Sequence, residues 1–471
     1  MWYRGHFSLR ISEITLDKYV KIGQADLKAF LGGIPMKNYP KQIKNTLCTV
    51  IRNMAKHPED FCRCPEKDFT RNRKLPLEKV LALLVKMGGH SLRNEMLDCL
   101  DFKEMPASVS ALVQQRSKIL PEAMEYLFRE FTNRGHEPKT YKEYRLLAVD
   151  GSDLQFTANP NDPLSYFPGA NGQKPYSILH MNALYDLNSN LYLDAVVQKR
   201  RAANENAALV SMVDCSEIHG PVILTADRGY ESYNTLEHIA RKGWKYVIRL
   251  RESKGIVSAL SLPNGDFDMP VQLFLTRKQG KKLKELQKDY PGQYRFLPIN
   301  VNFDYLPWGT DGFYPFSFRI VRFKISEDST ETLITNLDRA SFSADELKRL
   351  YHLRWSIETS FRQLKYTIGL SLFQSKKVEY ITQEIFARLT MYNFCELITS
   401  HVVIQNKRRK YVYQTNFAAA VHICRQFLRG AVSPPKVEAL IEQQVIPIRP
   451  GRSTPRKTKN IKFNSFFYRI A

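Results

Sequence analysis

The stretch Tyr351-His-Leu-Arg354-Trp355-Ser-Ile-Glu358-Thr-Ser-Phe-Arg362-Gln-Leu-Lys365 constrains this chain more than any other. Wound as an α-helix at about 100° per residue, it gathers Tyr351, Arg354, Glu358, Arg362 and Lys365 into an arc of roughly 80°. Leu350, Leu353, Ile357, Phe361 and Leu364 fall on a separate apolar face that can pack against a core. One carboxylate in a row of cations and hydrogen-bonding groups suits a metal ligand beside a phosphate backbone. The plainer reading of the same residues is a solvated amphipathic face, with Arg354 and Arg362 each pairing Glu358 four residues away.

Charge favours the first reading. Seventy Lys+Arg against 47 Asp+Glu give a formal net charge of +23. Such an excess points to a polyanionic partner, because each neutralised phosphate releases counterions. The basic residues are spread over the chain rather than gathered on one amphipathic helix, which favours nucleic acid over a membrane surface. The longest apolar runs, such as Val80–Val85, are far shorter than the roughly 18 residues a membrane span needs. The opening residues lack the apolar stretch of a secretory signal, so the expected location is the cytoplasm. Seven cysteines without a disulfide rhythm fit a reducing compartment. Cys62 and Cys64, near His57, lack a second Cys/His pair at finger spacing, and free thiols are the expectation over zinc.

A chain of 471 residues exceeds one ordinary core. Residues 1–140 read as short helices. One is expected from Leu77 to Met87, ending at Gly88-Gly89. Ser91 caps a second through Leu100, and Ser108 opens a third through Leu120, with Gln114, Gln115, Arg116 and Lys118 on an exposed side that could meet DNA. From Tyr144 the pattern becomes strand-like. Leu146–Phe156, the hairpin Ser177–Asp186 and Asn190–Gln198, Pro221–Ala226 and Trp244–Leu250 are the expected strands, with helices at Asn204–Val213 and after Ser232. This order predicts an α/β fold with a mixed sheet and flanking helices, as in ribonuclease H-like proteins.

Residues 252–328 interrupt that order and read as an all-β insertion. Ile299, Val301, Phe303 and Tyr305 alternate with polar residues as in a half-buried strand, and Lys278, Lys281, Lys282 and Lys284 read as a basic loop. Apolar phase shifts between Ile320 and Val321, which suggests a bulge or a corner. The core resumes at Glu331–Leu337, followed by the opening stretch and by helices at Glu379–Val403 and Ala418–Leu428. From Arg449 the composition is that of a basic arm.

Two acids end apolar runs upstream of Glu358. Asp150 precedes Gly151, which permits close approach of a phosphate or metal. Asp227 opens Asp227-Arg228-Gly229-Tyr230. Each could instead form a turn or a local ion pair. Asp153 competes with Asp150, but in an extended strand it faces the opposite side. Three converging carboxylates need a cation, because like charges raise one another's pKa. Hard oxygen donors select Mg²⁺ or Mn²⁺.

Together these residues resemble the insertion-sequence-four family of DDE transposases. The spacing Tyr-x2-Arg-x3-Glu-x6-Lys is similar to the signature around that family's catalytic glutamate, and Asp150-Gly-Ser and Asp227-Arg-Gly-Tyr look like its two aspartate motifs, in the right order. The resemblance covers about residues 145–375. It implies a ribonuclease H-like core and two metal ions per site, with Asp150, Asp227 and Glu358 as catalytic ligands. Tyr351, Arg354, Lys365, Arg228, Tyr230 and Arg362 are then expected against DNA phosphates. It also implies that Trp308 holds a flipped base, where a buried core tryptophan is the alternative. The division expected is a helical DNA-binding region at 1–140, a core at 141–251 and 329–430, a β-rich insertion at 252–328 and a basic arm at 431–471. Double-stranded DNA and a second copy of the chain are the expected partners. A nuclease of the same fold without strand transfer, and a non-catalytic DNA-binding repressor, are the rival readings.

Overall fold

The computed structural model describes residues 38–448 apart from 72, 100–106, 170–171, 173, 253–254, 259, 327–328 and 405–410. The basic tail from Arg449 lies outside them. Helices come first: α1 (Tyr39–Lys56), α2 (Pro58–Phe61), α3 (Leu77–Lys86), α4 (Leu92–Cys99), α5 (Val109–Arg116) and α6 (Glu122–Gly135). Strands β1 (Arg145–Thr157), β2 (Tyr166–Phe167), β3 (Tyr176–Asp186) and β4 (Leu191–Lys199) follow, then α7 (Glu205–Asp214), β5 (Val222–Ala226), α8 (Tyr233–Arg241) and β6 (Lys245–Arg249). Next come β7 (Phe267–Thr276), α9 (Lys281–Asp289), β8 (Tyr294–Phe296), β9 (Tyr314–Ser326) and β10 (Ser329–Thr335). The described chain closes with α10 (Ala344–Leu353), α11 (Trp355–Arg362), α12 (Val378–Ser400), β11 (Tyr413–Thr415), α13 (Phe417–Arg429), α14 (Pro434–Gln443) and β12 (Val445–Pro447). The fold is mixed α/β, with a large mixed sheet and flanking helices. No helix among the described residues is long and apolar enough to cross a membrane.

The chain divides into two compact units. One contains Thr140–Asp150 and Asn204–Trp355. Here the start of β1 pairs in parallel with β5, and β5 in parallel with β6. Antiparallel β10, β9 and β7 extend the sheet from β6, and β8 joins β7. Strand β5 is buried along its whole length, as its nearly all-apolar run requires of a central parallel strand, and its Thr225 hydroxyl donates to Leu147 O. A capping box at Ser343 and Glu346 starts α10.

Three expectations fail in this unit. The phase shift at Ile320/Val321 is not a bulge: pairing with β7 and β10 is regular there, consecutive residues are buried, and the one register irregularity of β9 with β10 falls later, at Ile325. The basic loop is a helix, α9, so residues 252–328 are not all β. Residues Ile299–Tyr305 form no strand. Arg277 instead holds the segment from both ends and within: its guanidinium donates to the backbone oxygens of Leu297, Pro298, Val301, Phe303 and Leu306 at 2.9–3.3 Å. Asn234 adds a two-way bond with Asp304 at 2.8 Å in each direction. Buried carbonyls need partners, and side chains here supply what a sheet neighbour would have given.

The other unit contains, among the described residues, 38–139, 151–203 and 356–448. Helix α12 is its axis: seventeen of its residues are buried, so it carries no one-sided apolar stripe. Asn393 pins it to β4 by accepting from Tyr192 N at 3.0 Å and donating to Tyr192 O at 2.7 Å. Arg388, also buried, donates to the carbonyls of Met87 and Gly88 just past α3. The expected helix starts hold: Ser108 accepts from Ala111 N at 3.1 Å, and Ser91 Oγ from Asn94 N at 3.4 Å.

The exposed side expected for α5 does not exist as drawn. Gln115 and Arg116 are buried, and only Gln114 is exposed. Arg116 reaches Glu384 Oε1 and Gln383 Oε1, each at 2.9 Å, and braces α12. Its length let the sequence place it outside, but burial demands a partner and Glu384 supplies one. Replacing Arg116 with Ala strands that carboxylate, so urea denaturation is expected to register a loss of about 3–5 kcal/mol. Gln114→Ala in the same assay is expected to stay within about 0.5 kcal/mol.

Candidate active site

Register builds the centre of the site. The last paired residues of the parallel strands β1 and β5 are Val149 and Ala226, and Asp150 and Asp227 follow them directly. Neighbouring strands lie about 4.8 Å apart, so the two aspartates leave the sheet side by side. Carboxyl ends of parallel strands are where open α/β sheets bind ligands. Asp227 also caps the 3₁₀ turn Arg228–Tyr230 and accepts from Gly229 N at 2.7 Å. Asp150 was expected at a strand end, but β1 continues to Thr157; what ends there is its pairing with β5.

A third acid enters that sequence reasoning did not single out. A Cβ at Gly229 would stand 2.9 Å from Asp227 Oδ1 and 3.3 Å from Glu205 Oε2. Glu205 therefore faces the same turn. It occupies the first turn of α7, where an acid is the ordinary choice against the helix dipole, so its spacing carried no signal. Arg354 Nη1 lies 3.8 Å from Asp150 Oδ2, and its guanidinium stands 5.5 Å from the Tyr351 ring centre. Tyr230 is buried, and burial, then the charges of Asp150, Glu205 and Asp227, push its hydroxyl well above the ordinary range. Burial likewise pushes Tyr351 up to about 12. Arg228 is exposed.

Glu358, Arg362 and Lys365 belong to the other unit. The helix expected across 351–365 is not continuous: α10 ends at Leu353, Arg354 is a turn, α11 carries Glu358 and Arg362, and Gln363–Thr367 winds as a π-helix. Ile368 N donates to Gln363 O at 3.0 Å to close the wide turn. Single π turns interrupt helices often at functional sites. Glu358 is half-buried and Arg362 exposed. Lys365 donates from Nζ to Asp153 O at 2.9 Å, and burial lowers its pKa.

The competing acid, Asp153, is tied into an ion pair. His180 Nδ1 lies 2.6 Å away and Arg200 Nε 3.0 Å away. Burial raises its pKa, but these partners outweigh it and the net shift is downward. Gly151 does not leave room for a ligand: a Cβ there would meet His180 Nε2 at 2.6 Å and Asn182 Oδ1 at 3.2 Å. Close packing of β3 side chains, not metal approach, is what that glycine permits. Trp308, expected either to hold a base or to be core, is 57% exposed, which removes the core alternative.

No ready-made cluster of three or more His, Cys, Asp or Glu set for a metal is found among the described residues. The seven cysteines are free, with Cys62 buried and Cys64 exposed. Asp150, Asp227 and Glu205 are all hard oxygen donors, the kind that Mg²⁺ and Mn²⁺ take.

A family model described as the transposase DDE domain matches residues 141–394, more than half of the chain. The chain is also similar to the transposase InsG for insertion sequence element IS4 of Escherichia coli (strain K12), with 22% identity over 432 residues, 85% of this chain and 90% of that protein. Among solved structures it is similar to the piggyBac transposase in a synaptic complex with hairpin DNA, at a TM-score of 0.46 and 10% identity over 85% of this chain and 82% of that one. That last likeness is too slight to bear on chemistry. The family match, over more than half of its length, shows that this chain belongs to the DDE transposase family.

Proposed function

We propose that the protein is a DNA transposase that cuts at the ends of its own element and joins the freed 3′-hydroxyls to target DNA. Asp150, Asp227 and Glu358 form its acidic triad on a ribonuclease H-like core. The observation that carries the reading is the pair of aspartates following Val149 and Ala226 on adjacent parallel strands. Two carboxylates so close repel unless a cation offsets them, and a divalent ion does this best. Asp150 would hold two Mg²⁺ or Mn²⁺ ions, with Asp227 on one and Glu358 on the other. Such ions, when bound, supply Lewis acidity to the attacking and leaving oxygens of an in-line displacement.

The remaining residues bind and orient. Arg354 offers a planar fork for phosphate oxygens at the Asp150 end, and Arg228, Arg362 and Lys365 add cations along the backbone. Tyr230 and Tyr351, being buried, line the wall with protonated hydroxyls. Trp308 stacks on a base displaced from the duplex, a contact that exposure makes available. In this reading residues 1–140 bind the element's ends, 141–251 and 329–430 form the core, 252–328 are an insertion between the second and third acids, and 431–471 include a basic arm. Two ends must be held at once, so two copies of the chain act together on DNA, in the cytoplasm.

Cleavage of DNA carrying the element's ends, with Mg²⁺ or Mn²⁺, is the direct assay. Glu358→Gln and Asp227→Asn are each expected to bind the ends but cut more than about a hundredfold more slowly, beyond the usual cost of losing a supporting residue. Cleavage at the wild-type rate by Glu358→Gln would remove it from the triad. Binding without cleavage by the wild type under any metal would favour a repressor instead. Trp308→Ala is expected to weaken capture of a displaced base by about five- to hundredfold, read from 2-aminopurine fluorescence, with duplex binding unchanged.

A further inference from the structure

The segment between α2 and α3 has no regular structure, yet it is firmly tied. Cys62 bridges Ile119, Arg63 N donates to Lys118 O at 2.8 Å, and Asp68 caps Cys64 N at 2.9 Å. Beside these ties lies a cavity of about 360 Å³, lined among others by Lys67, Arg71, Arg73, Lys118, Phe69 and Gln115. Glu66 is the carboxylate on its wall, and it is exposed. Lys67, Arg71 and Arg73 are exposed, and among the described residues no carboxylate pairs with any of them. Phe69 takes a left-handed backbone at φ 57°, a costly conformation for an aromatic residue, and Lys118 Nζ sits 5.5 Å from its ring centre. Gln115 lines the same space. It is only 7% exposed, and among the described residues its Oε1 has no hydrogen-bond partner.

Lys118 pairs with Asp68 at 3.9 Å, but Lys67, Arg71 and Arg73 leave an excess of positive charge around a buried amide, and together they suit a polar anion. An amide's two ends interchange by a flip, so Gln115 can donate to a phosphate oxygen. We propose that this cavity seats the phosphodiester backbone of DNA, with Arg71 and Arg73 on successive phosphates and Gln115 fixing their register. This rests on the reading of the chain as a DNA transposase and places its DNA contact in the segment between α2 and α3. The buried Arg116 of α5 cannot provide one.

The test is binding of the full chain to fluorescent end DNA between about 0.05 and 0.3 M salt. For Arg71→Gln with Arg73→Gln, the slope of log affinity against log salt is expected to fall by about 2, one for each lost phosphate contact. Lys282→Gln with Lys284→Gln removes the same charge from exposed positions on α9 and is expected to leave the slope unchanged. Gln115→Leu is expected to weaken binding about two- to tenfold at constant slope, as loss of a neutral hydrogen bond does. Circular dichroism of each variant checks that the fold persists. A slope equal to wild type in the Arg71/Arg73 variant overturns the site while leaving the transposase reading intact. Equal slope changes in the two double variants also overturn it, since the effect is then net charge. Displacement of the DNA by millimolar ATP reassigns the cavity to a free nucleotide. If the wild type does not bind DNA at all, the transposase reading falls and this site with it.

Discussion

Everything chemical in this chain depends on the parallel register of β1 and β5. Val149 opposite Ala226 is what brings Asp150 and Asp227 out at neighbouring positions. Strand side chains alternate faces, so a slip of one residue would send one aspartate to the opposite side of the sheet. The apolar runs Leu146–Val149 and Val222–Ala226, buried almost completely, make such a slip costly. A hydrophobic constraint thus fixes an electrostatic arrangement. Glu205, Tyr230 and Arg354 then gather around charges whose positions the sheet has already set.

Much of the sheet was legible because its strands are rich in apolar residues and separated by turn residues. The helix caps at Ser108 and Asn204 were legible for a similar local reason, since a side-chain oxygen must meet a backbone N–H. The paired acids could be found as acids ending apolar runs. What the sequence withheld depends on distant partners. Arg116 reads as surface until Glu384, far along the chain, takes it in. Glu205 reads as a helix-dipole residue until the turn at Gly229 brings it beside Asp227. Periodicity at 299–305 suggests a strand because nothing local announces that Arg277 will hold that segment.

The opening stretch illustrates both sides. Its residue spacing identified the family, and its apolar face is buried at Leu350, Ile357, Phe361 and Leu364. Yet the even winding assumed for it breaks at Arg354 and widens at Gln363–Thr367. Lys365 lies inside that wide turn, where the angle per residue assumed for an α-helix does not hold. It finds Asp153 O instead. Spacing reports which residues matter more securely than it reports where they point.

The loop held by Arg277 has a consequence for change over generations. Its shape is fixed through backbone oxygens, which every residue type carries, rather than through the side chains of the loop itself. Only the buried Leu297, Phe303 and Leu306 are committed to packing. Exposed positions such as Ile299 and Trp308 can therefore be exchanged without loss of the scaffold, as long as position 277 keeps a fork of five donors. Lysine, with three donors on a single nitrogen, could not span the same carbonyls. One arginine thus leaves the neighbouring surface open to selection for new contacts.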